Sequence, residues 1–230
     1  MWDRVAEELP RFFTYYNMVF FLKAMFTTFL LSLIGCVLGS VFGGLLSVVK
    51  LTRSKLLWPL RAVTLVYVEF FRRIPFLVTL LLIFFFFQAF GLEVSVFTVA
   101  LVSVWIIATA FITEIVRSGL EAVPTTQWEA AAVMNFNLLQ TLGMVILPQA
   151  LRIVIPPTVS QLISALKDTS LVVIIALYDL LKTTQSVLSN PTWTAYSSEV
   201  YIFVALIYFG CCYFMSSYSR RLEKELDRGF

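Results

Sequence analysis

AMFTTFLLSLIGCVLGSVFGGLLSVV, residues 24–49, carries no charged side chain. A helix over it, rising about 1.5 Å per residue, exceeds the roughly 30 Å hydrocarbon core of a bilayer, so the stretch reads as a membrane-spanning helix. Gly35, Gly39 and Gly43 recur at every fourth position and form one small-residue stripe along which a second helix can approach closely. Packing within the chain is the favoured use of that stripe, with dimerisation the lesser alternative.

The rest of the chain has the same character. Of its 230 residues, 60% are hydrophobic and 13% charged, and the mean hydropathy of +0.88 lies outside the range of soluble domains. An all-α integral membrane protein is expected. In such a protein the placement of charge carries more information than the net +3, and nucleic acid is not an expected partner. There is no histidine and no CxxC, and Cys36, Cys211 and Cys212 lie in apolar runs. Inert thiols are expected, with no metal site and no disulfide framework. Asp3, Arg4, Glu7, Glu8 and Pro10 precede the first apolar run, which is unlike a removable signal peptide.

Downstream of the first span come Lys50, Arg53 and Lys55. Residues 56–90 are apolar but interrupted by Arg61, Glu69 and Arg72-Arg73-Ile74-Pro75. Proline removes a backbone donor and disfavours helix in the residue before it. The pattern therefore predicts a helix over 57–71, a break, and a spanning segment over 75–90. Residues 94–113 give a third span that ends in Glu114 and Arg117. Residues 153–166 are too short to cross a bilayer alone and run into Lys167-Asp168-Thr169-Ser170, then into apolar 171–178. A last span over 200–219 leads to Arg220, Arg221, Lys224 and Arg228. Five transmembrane helices result. Basic residues gather at one set of helix ends, whereas loops 91–93 and 189–199 hold no Lys or Arg, so the N-terminus is expected outside and the C-terminus in the cytoplasm.

Between the third and fourth spans lies a polar island, Thr125-Thr126-Gln127-Trp128-Glu129-Ala130-Ala131-Ala132-Val133-Met134-Asn135, closed by Val145-Ile146-Leu147-Pro148-Gln149-Ala150. Thr126-x-x-Glu129 has the form of a capping box with Pro124 just upstream, which predicts a short helix from Thr126. Trp128, Ala132 and Phe136 fall four apart as its apolar stripe, leaving Gln127 and Glu129 off it. Such a helix serves either as an ordinary loop helix or as a surface that something outside the bilayer reads.

Ionisable groups at membrane depth need a partner or a wet cavity. A helix that stops near Leu166 and restarts with Asp168 or Thr169 as N-cap would aim free amides into a gap that suits a carboxylate. Lys167 would add a cation, and Asp168, Glu69 or Glu114 would take an ammonium, so both ends of an amino-acid zwitterion would find partners. The competing reading is internal pairing: Lys167 with an acid, Glu114 with Arg117 at i,i+3, and Arg72 and Arg73 snorkelling at the helix break. With no HExxH and no GxSxG, a membrane enzyme is disfavoured.

Five segments in order now carry a family resemblance. They are Tyr67-Val68-Glu69-Phe70-Phe71-Arg72 with Pro75, Thr113-Glu114-Ile115-Val116-Arg117-Ser118-Gly119, Gln127-Trp128-Glu129-Ala130-Ala131, Leu147-Pro148-Gln149-Ala150-Leu151-Arg152 and Leu166-Lys167-Asp168-Thr169-Ser170-Leu171. From about Phe20 to Arg221 the chain resembles the inner-membrane permease subunits of bacterial ATP-binding-cassette (ABC) importers for polar amino acids, the histidine, glutamine, glutamate and arginine type. The resemblance implies one transmembrane permease domain over 1–230 with the type I ABC importer permease fold and coupling helices within about 120–148. It implies that Gln127, Trp128, Glu129, Ala130, Ala131 and Asn135 dock on a separate cytoplasmic ABC ATPase, present twice. It also implies a second permease subunit, identical or not, an extracytoplasmic amino-acid binding protein, and a location in the bacterial inner membrane.

No GxxxxGK[ST] occurs, so ATP and Mg are expected on the partner ATPase, with no cofactor in this chain. The family glycine six residues after the glutamate is Asn135 here, and the frequent Arg-Gly-Thr-Pro reads Arg72-Arg73-Ile74-Pro75. Asparagine tolerates a left-handed backbone, which keeps a bend available at Asn135. The substrate path is expected to use Lys167, Asp168, Thr169 and Ser170, with Glu114, Glu69, Arg72 and Arg73 as charged candidates. The doubled arginine favours an acidic or broadly polar amino acid. A cationic amino acid is the alternative, and a secondary transporter without an ATPase is the more distant one, for no inverted repeat is evident.

Overall fold

The computed structural model describes residues 12–52 and 55–227, and every secondary-structure element among them is helical. Arg53, Arg228 and residues 3–10, which entered the topology and signal-peptide expectations, lie outside the described residues. Helices α1 (Tyr15–Leu51), α4 (Val96–Glu121), α6 (Leu147–Asp168) and α9 (Ser197–Asp227) are the long ones. With the turns that extend α6 to residues 141–175, all four are long and apolar enough to cross a membrane. Between α1 and α4 stand α2 (Trp58–Arg73) and α3 (Phe76–Ala89). After α4 comes the short α5 (Thr125–Val133), and between α6 and α9 come α7 (Leu180–Leu188) and α8 (Pro191–Thr194).

The glycine stripe of α1 is the axis of the fold. A Cβ added at Gly35 would stand 2.5 Å from a Val104 methyl, one at Gly39 2.6 Å from the Ala108 Cβ, and one at Gly43 2.9 Å from the Thr113 backbone nitrogen. Two helix backbones approach there as only glycine permits. The stripe packs within the chain, as preferred. Ser32, Ser103 and Thr113 are buried along these helices, and each hydroxyl is satisfied by donating to the carbonyl four residues back. Leu31, Ala100, Val104, Ile107 and Ala108 form the centre of the apolar core, with Leu80 of α3 and Val172 closing it.

Three expectations need correction. The segment over 75–90 does not span by itself: α3 has 14 residues, about 21 Å at 1.5 Å rise. It is one arm of a pair with α2, bent by 116° at the extended residues Ile74 and Pro75, and only the pair counts as a fifth span. Next, α6 ends at Asp168, two residues past Leu166, but opens no gap there: with Pro156 and Pro157 inside it, it tightens directly into a 3-10 segment over Thr169–Ile175. Asp168 makes no side-chain cap, and the Thr169 hydroxyl donates back to the Leu166 carbonyl at 2.8 Å. Restart comes later, after the left-handed Ala176 (φ 60°), where Asp179 accepts the Lys182 N–H and caps α7.

The third correction concerns α5. It begins at Thr125 with Pro124 at the N-cap position and no side-chain cap, so Thr126 and Glu129 form no capping box. A reciprocal cap exists twelve residues on: the Asn137 N–H donates to Gln140 Oε1 and the Gln140 N–H to Asn137 Oδ1, both at 2.9 Å. That pair opens the turn Leu138–Gln140 and the wide π-helical turn Thr141–Ile146 that feed α6.

Candidate functional site

Helix α5 sits at the end of the bundle, held on one side and open on the other. Ala131 is buried, and Trp128 packs on Leu120, Val123, Ile146 and Ala150, which join the ends of α4 and α6. The stripe is thus Trp128 and Ala131 at i,i+3; Ala132 is exposed and Phe136 half-buried. Gln149, from the Leu-Pro-Gln-Ala segment, donates to the Val145 carbonyl at 2.8 Å and reaches Gln127 Oε1 at 3.4 Å. Two motifs far apart in sequence therefore meet. The outer face presents Glu129 and Ala130, and beyond them Val133 at 87%, Met134 at 66% and Leu139 at 80% exposure. Sequence reasoning missed these three apolar residues, because the polar letters around them drew attention away.

Asn135 has φ 57°, the left-handed conformation anticipated for it. Its N–H donates to the Ala132 carbonyl at 3.0 Å and the Phe136 N–H to the Ala131 carbonyl at 3.1 Å. This is a Schellman closure, which satisfies the last carbonyls of α5 and turns the chain toward the Asn137 cap.

The charged candidates divide into three groups. In the first, Glu114 accepts from Lys50 of α1 at 2.6 Å and from Arg117 at 2.5 Å, and Arg117 reaches on to Glu121. Lys50, which the sequence reading used only for topology, is the cation that the local i,i+3 account omitted. In the second group, Glu69 pairs with Arg73 at i,i+4 and 2.6 Å, with both side chains exposed. Of the three acids assigned to an ammonium, Glu69 and Glu114 are thus neutralised by neighbours, whereas Asp168 is in no salt bridge among the described residues. Arg72 leaves that pair: its guanidinium stands 5.6 Å from the centre of the Phe111 ring, in a cleft of about 240 Å³ shared with Glu114, Ser118, Gly119 and Pro157.

The third group is Lys167-Asp168-Thr169-Ser170, whose members diverge. Lys167 lines an open groove of about 450 Å³ between α6 and α9, with Ser160, Ser164, Tyr213 and Ser216. Asp168 turns instead toward Phe76, Val104 and Gln161. Thr169 is fully buried and engaged with its own backbone, and Ser170 is half-buried. The structure brings Arg72 and Glu114 to one cleft and Gln127 to Gln149, but gives Lys167 and Asp168 different cavities.

Known proteins resemble this arrangement. Residues 35–228 match the family described as binding-protein-dependent transport system inner membrane component. The inner membrane amino-acid ABC transporter permease protein YhdY of Escherichia coli is 41% identical over 172 residues, which cover 74% of this chain and 47% of YhdY. This chain thus spans about half the length of that relative. The probable glutamine ABC transporter permease protein GlnP of Bacillus subtilis is 33% identical over 207 residues, covering 90% of this chain and 94% of GlnP. Among solved structures, an amino acid ABC transporter crystallised with histidines superposes with a TM-score of 0.82 at 28% identity, over 92% of this chain and 98% of the other.

Proposed function

We infer the function of this chain from its family: it belongs to the binding-protein-dependent transport system inner membrane components, and among them to the permeases of amino-acid ABC importers. It is a multi-pass inner-membrane protein and not itself an enzyme. In this reading the chain lines the path for a polar L-amino acid, acidic or broadly polar. It works beside a second permease subunit, takes substrate from an extracytoplasmic binding protein, and is driven by two cytoplasmic ATPase subunits that hold the ATP and Mg.

The observation that carries the coupling role is the two-sidedness of α5. Trp128, Ala131 and the Gln127 to Gln149 contact clamp its inner face, so any force on the outer face passes into the ends of α4 and α6. Glu129, Ala130 and the exposed Val133 and Met134 form that outer face, of a size and chemistry that suit a cleft on the ATPase. Closure of the ATPase pair would then re-orient the bundle as a rigid body between two states. The basic residues near α5, Lys50, Arg117 and Arg152, support its cytoplasmic side, with the N-terminus outside and the C-terminus inside.

For the substrate, the supporting point is which charges are left. Glu69 and Glu114 are held by Arg73, Lys50 and Arg117, whereas Arg72 and Lys167 make no salt bridge among the described residues. Spare cations favour carboxylates. Asp168, half-buried and outside any salt bridge among the described residues, favours the second reading of a cationic amino acid. The test of coupling is Glu129→Lys: the variant inserts in the membrane and assembles, but ATP hydrolysis no longer drives uptake. Normal uptake by that variant would remove α5 from the coupling role.

A further inference from the structure

The turn into α7 buries an acid that transport coupling does not use. Asp179 has no exposed surface. Its Oδ1 accepts the Lys182 N–H at 2.7 Å, whereas its Oδ2 has no partner. Thr183, one helical turn on, is equally buried and its hydroxyl is also unpartnered. Across the packing interface, the Tyr208 hydroxyl of α9 is buried with Thr28 as its one hydrogen-bonding side chain and no well-formed bond among the described residues, and Asp179 acts on it electrostatically. Thr28 of α1 closes the surround: its Oγ1 accepts the Leu180 N–H at 3.2 Å, and with Leu180 and Tyr208 it lines a cavity of about 130 Å³. Buried polar groups are almost always satisfied, and groups too far apart to bond directly are bridged by something between them.

No charged side chain answers this carboxylate. Only burial and backbone amides act on Asp179; Lys182 meets it through its amide. The buried face of α1 here is Phe21, Ala24, Thr28 and Leu31, without charge, and Lys23 is exposed. Residues 169–175 hold nothing titratable, Lys167 and Asp168 at the end of α6 point into other cavities, and α9 contributes only Tyr208 and the neighbouring thiol of Cys211. One carboxylate among hydroxyl oxygens calls for a single positive charge and a hard, oxygen-loving ion.

We propose that Asp179, Thr183 and Tyr208 form a binding site for one small monovalent cation, held by Asp179 Oδ2 and the two hydroxyl oxygens. Na⁺ is the ion this chemistry suits. Burial pushes the Asp179 carboxyl up to about 6. A carboxyl raised in the folded state contributes stability that is complete below its ordinary value and lost as pH rises through the folded value; a bound Na⁺ restores it above that point.

Thermal unfolding of the full chain in lipid nanodiscs decides the matter, in NaCl or choline chloride at equal ionic strength, at pH 7.5 and pH 5. With Na⁺ as occupant, NaCl raises the Tm at pH 7.5 by about 5 °C over choline, and the difference collapses at pH 5. If the salts are equivalent and the wild-type Tm only rises as pH falls through 6, the carboxyl is simply protonated, no cation is held, and the proposal fails. Asp179→Asn keeps an oxygen for the Lys182 N–H and removes the charge, so it abolishes the response to Na⁺. Thr183→Val and Tyr208→Phe weaken the response while leaving the cap intact, and they decide alone if the asparagine variant does not fold. A wild type indifferent to Na⁺, whatever its response to acid, or variants that respond to Na⁺ as the wild type does, would overturn the proposal.

Discussion

Asn135 shows how a single residue can be read correctly for its backbone and still leave its setting hidden. Its tolerance of positive φ predicted the bend, and the Schellman closure realises it. The cap that follows, Asn137 with Gln140, was equally present in the sequence but was masked by the more familiar Thr-x-x-Glu pattern upstream. Asn135→Gly should leave stability and coupled uptake unchanged, whereas Asn135→Val should cost at least about 1–2 kcal/mol and loosen coupling, as read by uptake per ATP hydrolysed. The acids separate as well. Glu114→Gln removes the negative charge shared by Lys50 and Arg117 and replaces one of the two acceptor oxygens by a donor, and should destabilise by about 1–3 kcal/mol in thermal melts. Glu69→Gln, on an exposed i,i+4 pair, should leave the melt unchanged.

Among the elements, the long apolar helices were legible because hydropathy alone marks them, and the α2 to α3 break because proline forces it. The course of α6 was not. Lys167 and Asp168 do end α6, but no gap opens after them, since the chain tightens straight into the 3-10 segment Thr169–Ile175, and Pro156 and Pro157 lie inside the helix. Tertiary packing of α6 on α4 overrides what local propensity suggests, as at Gly119, where a Cβ would collide with Val154. The glycine stripe gives the sharpest contrast. Gly39→Ala puts a methyl 3.0 Å from the Ala108 backbone and should cost about 1–3 kcal/mol, while Gly44, with nothing within 4 Å, should accept alanine without loss. Comparative melting of the two variants in detergent would check this, and equal melts would deny the α1 to α4 close approach.

For the whole molecule, the sequence conveyed the membrane fold, the polar island and the family, because these rest on composition and on motifs in a fixed order. It did not reveal which charges were already neutralised, since the Lys50 to Glu114 contact joins residues 64 apart and no periodicity signals it. That contact bears on the proposed function. It leaves Arg72, Lys167 and Asp168 as charges that face cavities outside any salt bridge among the described residues, and it ties the basic end of α1 to α4, the helix that leads into α5. Under the proposed coupling, a bundle so tied would move as a unit when α5 is pushed. The most direct measurement is ATP hydrolysis and uptake by the chain reconstituted with its ATPase in proteoliposomes, given binding protein loaded in turn with glutamate, aspartate, glutamine, histidine or arginine. The account predicts stimulation by an acidic or broadly polar amino acid and loss of that stimulation in Glu129→Lys. Uptake that persists without any ATPase, or with Glu129→Lys unaltered, would contradict it.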